Sequence, residues 1–303
     1  RMMEFNDLVN RLFSKDSHSR RRKLYIRTFA VVPLTEECGI LEWVPHTTGL
    51  RHILQDLYDA SGHFVKRGPQ GSSHAIIKQL YEKTPDPLDR MKVVLQMFPP
   101  MFHRWFIANF SDPAAWFRAR TSYTHTAAVW SMVGHVVGLG DRHGENILVD
   151  KSRGDCVHVD FSLLFDKGLD LETPECVPFR LTQNLVDGMG IAGCEGMFVK
   201  SCEITLHLLR SNKEALMSVL ETFVHDPLLE WTVAARRHGQ DNASSRPHIV
   251  LEKIRSRLQG VVVGVGAAPS LPMGPEGQAR RLIDEATSLH NLGKMYIWWM
   301  PWF

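Results

Sequence analysis

The sequence predicts an α+β chain, mainly helical, with a smaller β-containing part at its start. Three observations carry this. Residues 113–137 form one long run that is apolar on most sides and is opened by Asp112-Pro113. Two pairs of short β-rich stretches, 24–34 with 39–44 and 147–150 with 156–161, each flank a turn-forming segment. Helical spacing then resumes over 194–210 and 213–223. With 303 residues, 44% of them hydrophobic, the chain can bury a substantial core. At about 150 residues per domain it is one large domain or two lobes.

Residues 1–13 place Met2, Phe5, Leu8, Val9 and Leu12 on one face of a helix. The basic run Arg20-Arg21-Arg22-Lys23 reads as a solvated loop. The β-rich pair 24–34 and 39–44 is joined by Thr35-Glu36-Glu37-Cys38-Gly39, which predicts a hairpin. Residues 49–60 are an amphipathic helix. Residues 62–90 are polar and rich in Gly and Pro, the mark of a loop or a variable insertion.

The strongest helix is 113–137. Asp112 can accept a free N–H of the first turn, and Pro113 fits a position that needs no donor. Trp116, Phe117, Tyr123, Ala127, Trp130, Met132, Val133 and Val136 spread around it, which predicts burial. Gly138 and Gly140 end it. Lys151-Ser152-Arg153-Gly154 turns the second hairpin. Residues 162–190 look irregular, and Asp226-Pro227 repeats the capping device before 228–231. Residues 233–248 have linker composition. Helices follow near 249–259 and 277–288, separated by the Gly/Pro-rich 260–274. The tail 296–303 holds five aromatics and reads as buried against the body, since no basic helix flanks it.

The charges nearly balance, 35 Lys+Arg against 33 Asp+Glu, so the chain as a whole is not marked as a nucleic-acid or membrane binder. Five cysteines without CxxC spacing indicate reduced thiols in a cytosolic or nuclear setting. The apolar stretch 126–140 is too short for a membrane span and contains His135. No signal-peptide pattern is present. The chain starts at Arg1, so it reads as a piece of something longer.

Chemistry concentrates in Gly138-Leu-Gly-Asp-Arg-His-Gly-Glu-Asn146 and Val157-His-Val-Asp-Phe161. Asp141 precedes Asn146 by five residues, the spacing by which kinase catalytic loops pair a hydroxyl-orienting Asp with a Mg²⁺-binding Asn. After a hairpin comes Asp160-Phe161, the place of the second metal ligand. ATP concentrates negative charge, and Mg²⁺ wants hard oxygen ligands with waters retained. A carboxylate and an amide at the two ends of one hairpin suit that need. Three other readings exist: a surface turn with an internal salt bridge, a dinucleotide fingerprint at Gly138-x-Gly140, and a hydrolytic metal site of His143, His158 and Asp160. The glycines follow a helix and not a strand, which disfavours the second. The ordered set around a hairpin favours phosphoryl transfer.

The segments GLGDRHGENILVD, HVDF and VPFRLTQNLVDGMG resemble the phosphatidylinositol-3-kinase-related protein kinases, and the resemblance extends over essentially the whole chain. It implies a protein-kinase-like fold of the PI3K/PI4K type, with a mostly helical C-lobe and a truncated β-containing N-lobe. It implies an N-lobe remnant in residues 1–43, a C-lobe in 44–232, a linker or regulatory segment in 233–270 and a FATC domain in 271–303. The cofactors implied are ATP and Mg²⁺, with Mn²⁺ admissible. Backbone groups of Glu42 and Val44 would bond the adenine, Trp43 would stack on it, and Leu148 and Val159 would floor its pocket. Asp141 would orient or deprotonate the substrate hydroxyl, and His143 would stabilise charge at the γ-phosphate. Asn146 and Asp160 would hold the metal, and 160–188 would be the activation loop.

The resemblance further implies a Ser/Thr-Gln-directed protein kinase of DNA-damage and replication-stress signalling in the nucleus. It would have a dedicated partner subunit, a dimeric parent protein, only indirect contact with DNA and no membrane. Two features depart from the family. Ser162 replaces the glycine of Asp-Phe-Gly, which predicts a stiffer loop. No Gly-rich loop or ATP-binding Lys precedes the hinge, so the 303-residue piece alone is expected to be nearly inactive. Residues 162–179 carry Lys167 against Asp166, Asp170, Glu172 and Glu175, a balance that disfavours an anionic lipid headgroup. An inactive scaffold and a lipid or small-molecule kinase are the alternatives.

Overall fold

A computed structural model describes residues 1–35, 38–63, 73–225, 245–262 and 269–303. Its axis is the long helix Pro113–Val137. The Asp112 carboxylate accepts the Ala115 N–H at 2.7 Å, and Gly138 closes the far end in the left-handed region at φ 61°. This helix divides two apolar cores. Ala119, Tyr123, Ala127, Ala128 and Met132 face one. Val129, Trp130, Val133, Val136 and Val137 face the other.

Helices α3 (Leu50–Ala60), α5 (Pro87–Met97) and α6 (Phe102–Asn109) supply Ile53, Leu54, Tyr58, Val94, Phe102 and Phe106 to the first core. Between α3 and α5 lies α4 (Ser73–Lys83). The 62–90 stretch is therefore no loop where it is described; residues 64–72 lie outside the described part. Pro87 misleads as a breaker, because it stands at the first turn of α5, where Asp86 caps by accepting the Asp89 N–H at 2.8 Å. Among the irregular residues 162–190, Gln183–Gly188 is a helix, α8.

The central helix, α7, runs into the hairpin β4 (Ile147–Asp150) and β5 (Cys156–His158). A third strand, β3 (Thr47–Gly49), pairs antiparallel with β4. Its Thr-Thr-Gly composition gives no apolar alternation, so it is not legible in the sequence. Alternation along the hairpin sends Ile147, Val149 and Cys156 into the first core and Leu148 and Val157 towards the second. β5 stops at His158, three residues before the expected end.

At the start of the chain, α1 (Met2–Lys15) buries Met2, Phe5, Val9 and Phe13 in the second core. The basic run is helical and not a loop. In α2 (Ser17–Arg22), Asp16 accepts from the Ser19 N–H at 2.7 Å, while Arg20 and Arg21 stay exposed. The expected strand 24–34 shrinks to β1 (Val31–Pro33), paired with β2 (Gly39–Leu41) in the register Val31↔Leu41. Residues 24–29 are instead held by side chains. Asn10 bonds both the N–H and the carbonyl of Ile26 at 2.8 Å, and Tyr25 and Arg27 donate to Asp155 and Asp150 across the hinge.

Helices α9 (Met197–Ser211) and α10 (Lys213–Val224) match their expected positions closely. The Asp226-Pro227 device, linker residues 233–244 and residues 263–268 lie outside the described residues. Helix α11 (Ser245–Leu258) starts four residues ahead of expectation. The C-terminal segment forms α12 (Pro275–Thr287), α13 (Leu289–Lys294) and a 3-10 turn at Ile297–Trp299. Trp299, Trp302 and Phe303 are buried as expected. Phe303 stacks on Tyr58 at 5.2 Å and Trp302 on Phe98 at 6.1 Å, while Tyr296 and Trp298 remain exposed. Among the described residues no helix is long and apolar enough to cross a membrane.

Candidate active site

The loop 138–146 leaves the end of α7 and enters β4, and residues 159–162 leave β5 beside it. Asp141 and Asp160 both adopt left-handed backbone, at φ 56° and 57°. For a non-glycine residue that conformation costs about 1–2 kcal/mol, so the surroundings must hold it. The Asn146 amide donates to the Asp141 carbonyl at 2.9 Å and to its carboxylate at 3.3 Å. The Asp141 N–H donates to the Glu175 carboxylate at 2.8 Å.

Arg142 joins the two segments. Its side chain is buried and donates to the carbonyls of Gly140 and Val159 at 2.8 Å, to that of Asn146 at 3.4 Å and to that of Asp160. Burial lowers its pKa to about 10, opposed by Asp141, Asp160 and Glu175, so it remains charged at neutral pH. The salt-bridged surface turn is thus excluded, because this guanidinium serves buried carbonyls.

Burial pushes the Asp160 carboxyl up, but hydrogen bonds from Ser162, including its N–H at 3.0 Å, and the charge of Arg142 bring it below the ordinary value. Asp160 is therefore ionised. The positive φ falls on Asp160 itself and not on Ser162, so the glycine-for-serine conflict expected from the sequence does not arise. His143 has its pKa lowered, first by burial, and is neutral at pH 7. Its Nδ1 accepts the Glu145 N–H at 3.2 Å, which leaves the proton on Nε2, 3.7 Å from the Asp141 carboxylate.

These groups fit a magnesium ion. The Asn146 nitrogen is turned to Asp141, which frees its amide oxygen as a hard ligand, and Asp160 is an ionised carboxylate. Among the described residues no group of three or more His, Cys, Asp or Glu could hold a metal by itself. The hydrolytic metal site fails on His158, which is buried and stacked on Trp130 with ring centres 4.8 Å apart.

The expected adenine contacts lie at the hinge. The Glu42 N–H donates to the Ala30 carbonyl at 2.8 Å, and the Val44 carbonyl accepts from the Thr47 hydroxyl at 2.8 Å. A purine edge would have to use the other pair, the Glu42 carbonyl and the Val44 N–H. Trp43 is 89% exposed and Val44 is buried. Leu148 and Val159 are half-buried against the second core. A cleft of about 660 Å³ opens between the start of the chain and residues 160–167, lined by Met2, Phe29, Val31, Leu41, Asp160 and Phe161 among others. Of the sequence-predicted site residues only Asp160 lines it. The structure thus joins Asp141, His143 and Asn146 directly and Asp160 to them through Arg142, and leaves Glu42, Trp43 and Val44 as a separate group.

Sequence reasoning counted Glu175 only in the acidic balance of residues 162–179 and gave no role to Arg142 or Arg180. Arg180 is buried and donates to the backbone oxygens of Trp299 and Met300 at 2.7 Å, Phe303 at 3.1 Å and Arg142 at 3.3 Å. Two charged residues flanking Val177-Pro178-Phe179 were the available signal, because charges in such an apolar setting need partners. Asp166 anchors the root of the activation loop to α11 through Arg257 at 2.7 Å and Lys253 at 3.6 Å.

Residues 1–233 match the family described as phosphatidylinositol 3- and 4-kinase, and residues 272–303 match the FATC domain. The chain belongs to the phosphatidylinositol 3- and 4-kinase family. Within it, the chain is a phosphatidylinositol-3-kinase-related kinase similar to ATR. It is 64% identical over 303 residues to the serine/threonine-protein kinase ATR of Oryza sativa subsp. indica, covering 100% of the chain and 11% of that protein. It is 61% identical over 308 residues to the ATR of Arabidopsis thaliana, covering 100% and 11%. Protein kinase rad3 of Schizosaccharomyces pombe is 46% identical over 307 residues, with 100% and 12% covered. The chain therefore spans about a ninth of the length of these relatives. Among solved structures, the FAT and kinase domain of CtTel1 superposes with a TM-score of 0.85 at 33% identity, covering 100% of the chain and 20% of the other. The complete CtTel1 dimer with C2 symmetry gives 0.84 at 33%, covering 100% and 11%. The fold is the mostly helical PI3K/PI4K kinase type with few strands.

Proposed function

We propose that this chain is the catalytic end of an ATP-dependent protein serine/threonine kinase of the ATR type, directed to Ser/Thr-Gln sites. The observation that carries the reading is the linkage of Asp141, Asn146 and Asp160 by the Asn146 amide and the Arg142 guanidinium. The Asp141 carboxylate accepts the proton of the substrate hydroxyl while its oxygen attacks the γ-phosphorus and ADP leaves. His143, neutral, offers its Nε2–H to the γ-phosphate oxygens. Asn146 and Asp160 hold Mg²⁺, which when bound neutralises the phosphate charge. The Glu42 carbonyl and Val44 N–H take the adenine, with Trp43 over it and Leu148 and Val159 beneath.

The organisation that goes with this is a small-lobe part in 1–43, a large lobe in 44–232, a linker in 233–270 and a FATC domain in 271–303. A protein substrate is supported over a lipid by the activation loop, whose Glu172 is exposed and acidic. A nuclear checkpoint role and a dedicated partner subunit go with the family resemblance, and the CtTel1 dimer supports a dimeric parent.

The test is radiolabelled phosphate transfer to a Ser-Gln peptide by the full-length protein with Asp160→Ala beside it. The expected result is transfer in the parent and its loss in the variant. Full activity in Asp160→Ala would refute the metal assignment, and transfer to phosphoinositide vesicles instead of peptide would refute the substrate class.

A further inference from the structure

We infer that Glu175 is a positioning residue for Asp141: its carboxylate, delivered by the activation loop, holds the backbone conformation that aims the catalytic side chain. The inference rests on the assignment of Asp141 as the group that receives the hydroxyl proton.

Asp141 sits at φ 56°, left-handed backbone that costs a non-glycine residue free energy and that its hydrogen bonds help to hold. Its N–H is fixed by one Glu175 oxygen at 2.8 Å. The other Glu175 oxygen occupies space that two glycines leave open. A Cβ on Gly140, in the catalytic loop, would come within 2.5 Å of it, and one on Gly168, in the activation loop, within 2.2 Å. Both loops are thus shaped to admit this carboxylate. The Glu175 N–H closes on the Gly168 carbonyl at 3.1 Å, which fixes the segment that carries it.

Placing a carboxylate here is unfavourable. Burial raises its pKa to about 7, with the nearby Asp141 charge adding to the rise. A glutamate serving only solubility would lie in water at no such cost. Beyond it, the Cys176 N–H meets the Met295 sulfur at 3.2 Å, and Arg180 grips the backbone of 299, 300 and 303. The docked activation loop, the C-terminal segment and the Asp141 backbone are therefore one connected unit. Undocking the loop removes the partner of the Asp141 N–H.

The experiment measures kcat and KM of the full-length kinase with ATP and a Ser-Gln peptide, for Glu175→Ala, Glu175→Gln, Gly140→Ala, the Gly140→Ala/Glu175→Ala pair and Asp141→Ala. Glu175→Ala is expected to lower kcat about 10- to 100-fold with the KM for ATP within about threefold. Glu175→Gln keeps an oxygen for the same N–H and is expected to recover kcat to within about threefold of the parent. Gly140 lies outside the left-handed region, so Gly140→Ala acts by displacing the carboxylate. It should lower kcat, and the paired variant should be no slower than Glu175→Ala alone. Retained kcat in Glu175→Ala, a glutamine variant as slow as the alanine one, or multiplying losses in the pair would each overturn the inference. If Glu175→Ala does not fold, Gly140→Ala alone must lower kcat and Glu175→Gln must stay within about threefold of the parent, and failure of either overturns the inference. An active Asp141→Ala would bring down the parent reading as well. An inactive one beside a normal Glu175→Ala would sink only this inference.

Discussion

Replacing Arg180 by alanine should release the C-terminal segment from the kinase body. The guanidinium makes two hydrogen bonds of 2.7 Å and two of 3.1 and 3.3 Å, all to backbone oxygens, and lies 4.2 Å from the centre of the Trp299 ring. Burial lowers its pKa to about 9, with Arg51 adding to the effect, so the group is still charged at pH 7. Bonds from a charged donor contribute about 1.5–3 kcal/mol each, and a desolvated cation over a Trp face about 2 kcal/mol. Against this stands the several kcal/mol needed to strip water from the cation. Removing one side of such a buried network typically costs about 3–5 kcal/mol. At about 2–4 °C per kcal/mol, the kinase unit should melt roughly 10 °C lower. Proteolysis should then cut first near the exposed Tyr296 and Trp298. Differential scanning fluorimetry and limited trypsin or chymotrypsin digestion of the full-length protein read both effects. A melting point within about 2 °C of the parent, with the tail still protected, would show that these four bonds carry no net stability.

Two further outcomes follow from the same geometry. Ser162→Gly should leave kcat within about twofold of the parent, because the backbone N–H bond to Asp160 survives the loss of the hydroxyl and the positive φ lies on Asp160; steady-state kinetics checks this, and a tenfold change would show that the Ser162 hydroxyl matters. For pH, the Glu175 carboxyl is raised from 4.5 to about 7 by burial, so the folded state holds the extra proton. Its contribution to stability is complete below about pH 4.5 and is lost as pH rises through about 7, at up to about 1.4 kcal/mol per unit of pH. The parent should therefore lose more thermal stability between pH 5.5 and 8 than Glu175→Gln does, by roughly 1–3 kcal/mol, and parallel curves for the two would refute the burial argument.

The parts legible in the sequence are those encoded locally. The Asp112-Pro113 start and glycine end of α7 lie within a turn of the helix they delimit. The spacing of Asp141, Asn146 and Asp160 is set by one loop and one hairpin, so their meeting could be foreseen. Helices α4, α5 and α8 were missed because short amphipathic helices opened by Pro or bounded by Gly look like loops. Strand β3 exists only because β4 offers it an edge 100 residues later, with Thr48 opposite Val149. Arg180 and Glu175 were illegible for a similar reason. The C-terminal partners of Arg180 lie 119 to 123 residues away, and the partner of Glu175 is a backbone N–H that depends on how residues 160–175 fold back. The family resemblance supplied the hinge roles of Glu42, Trp43 and Val44, which no local pattern encodes.

The grip of Arg180 on Trp299 also orders events in time. Translation separates the two residues by 119 codons, which at about 5–20 residues per second is roughly 6–24 s. For that interval the nascent kinase has its DRHGEN loop made but the cation beneath it without its carbonyl partners. A ribosome that stalls before residue 299 releases a chain that has Asp141, Asn146 and Asp160 and lacks the clamp. A product that ends ahead of residue 299 therefore lacks the clamp without any separate inhibitor.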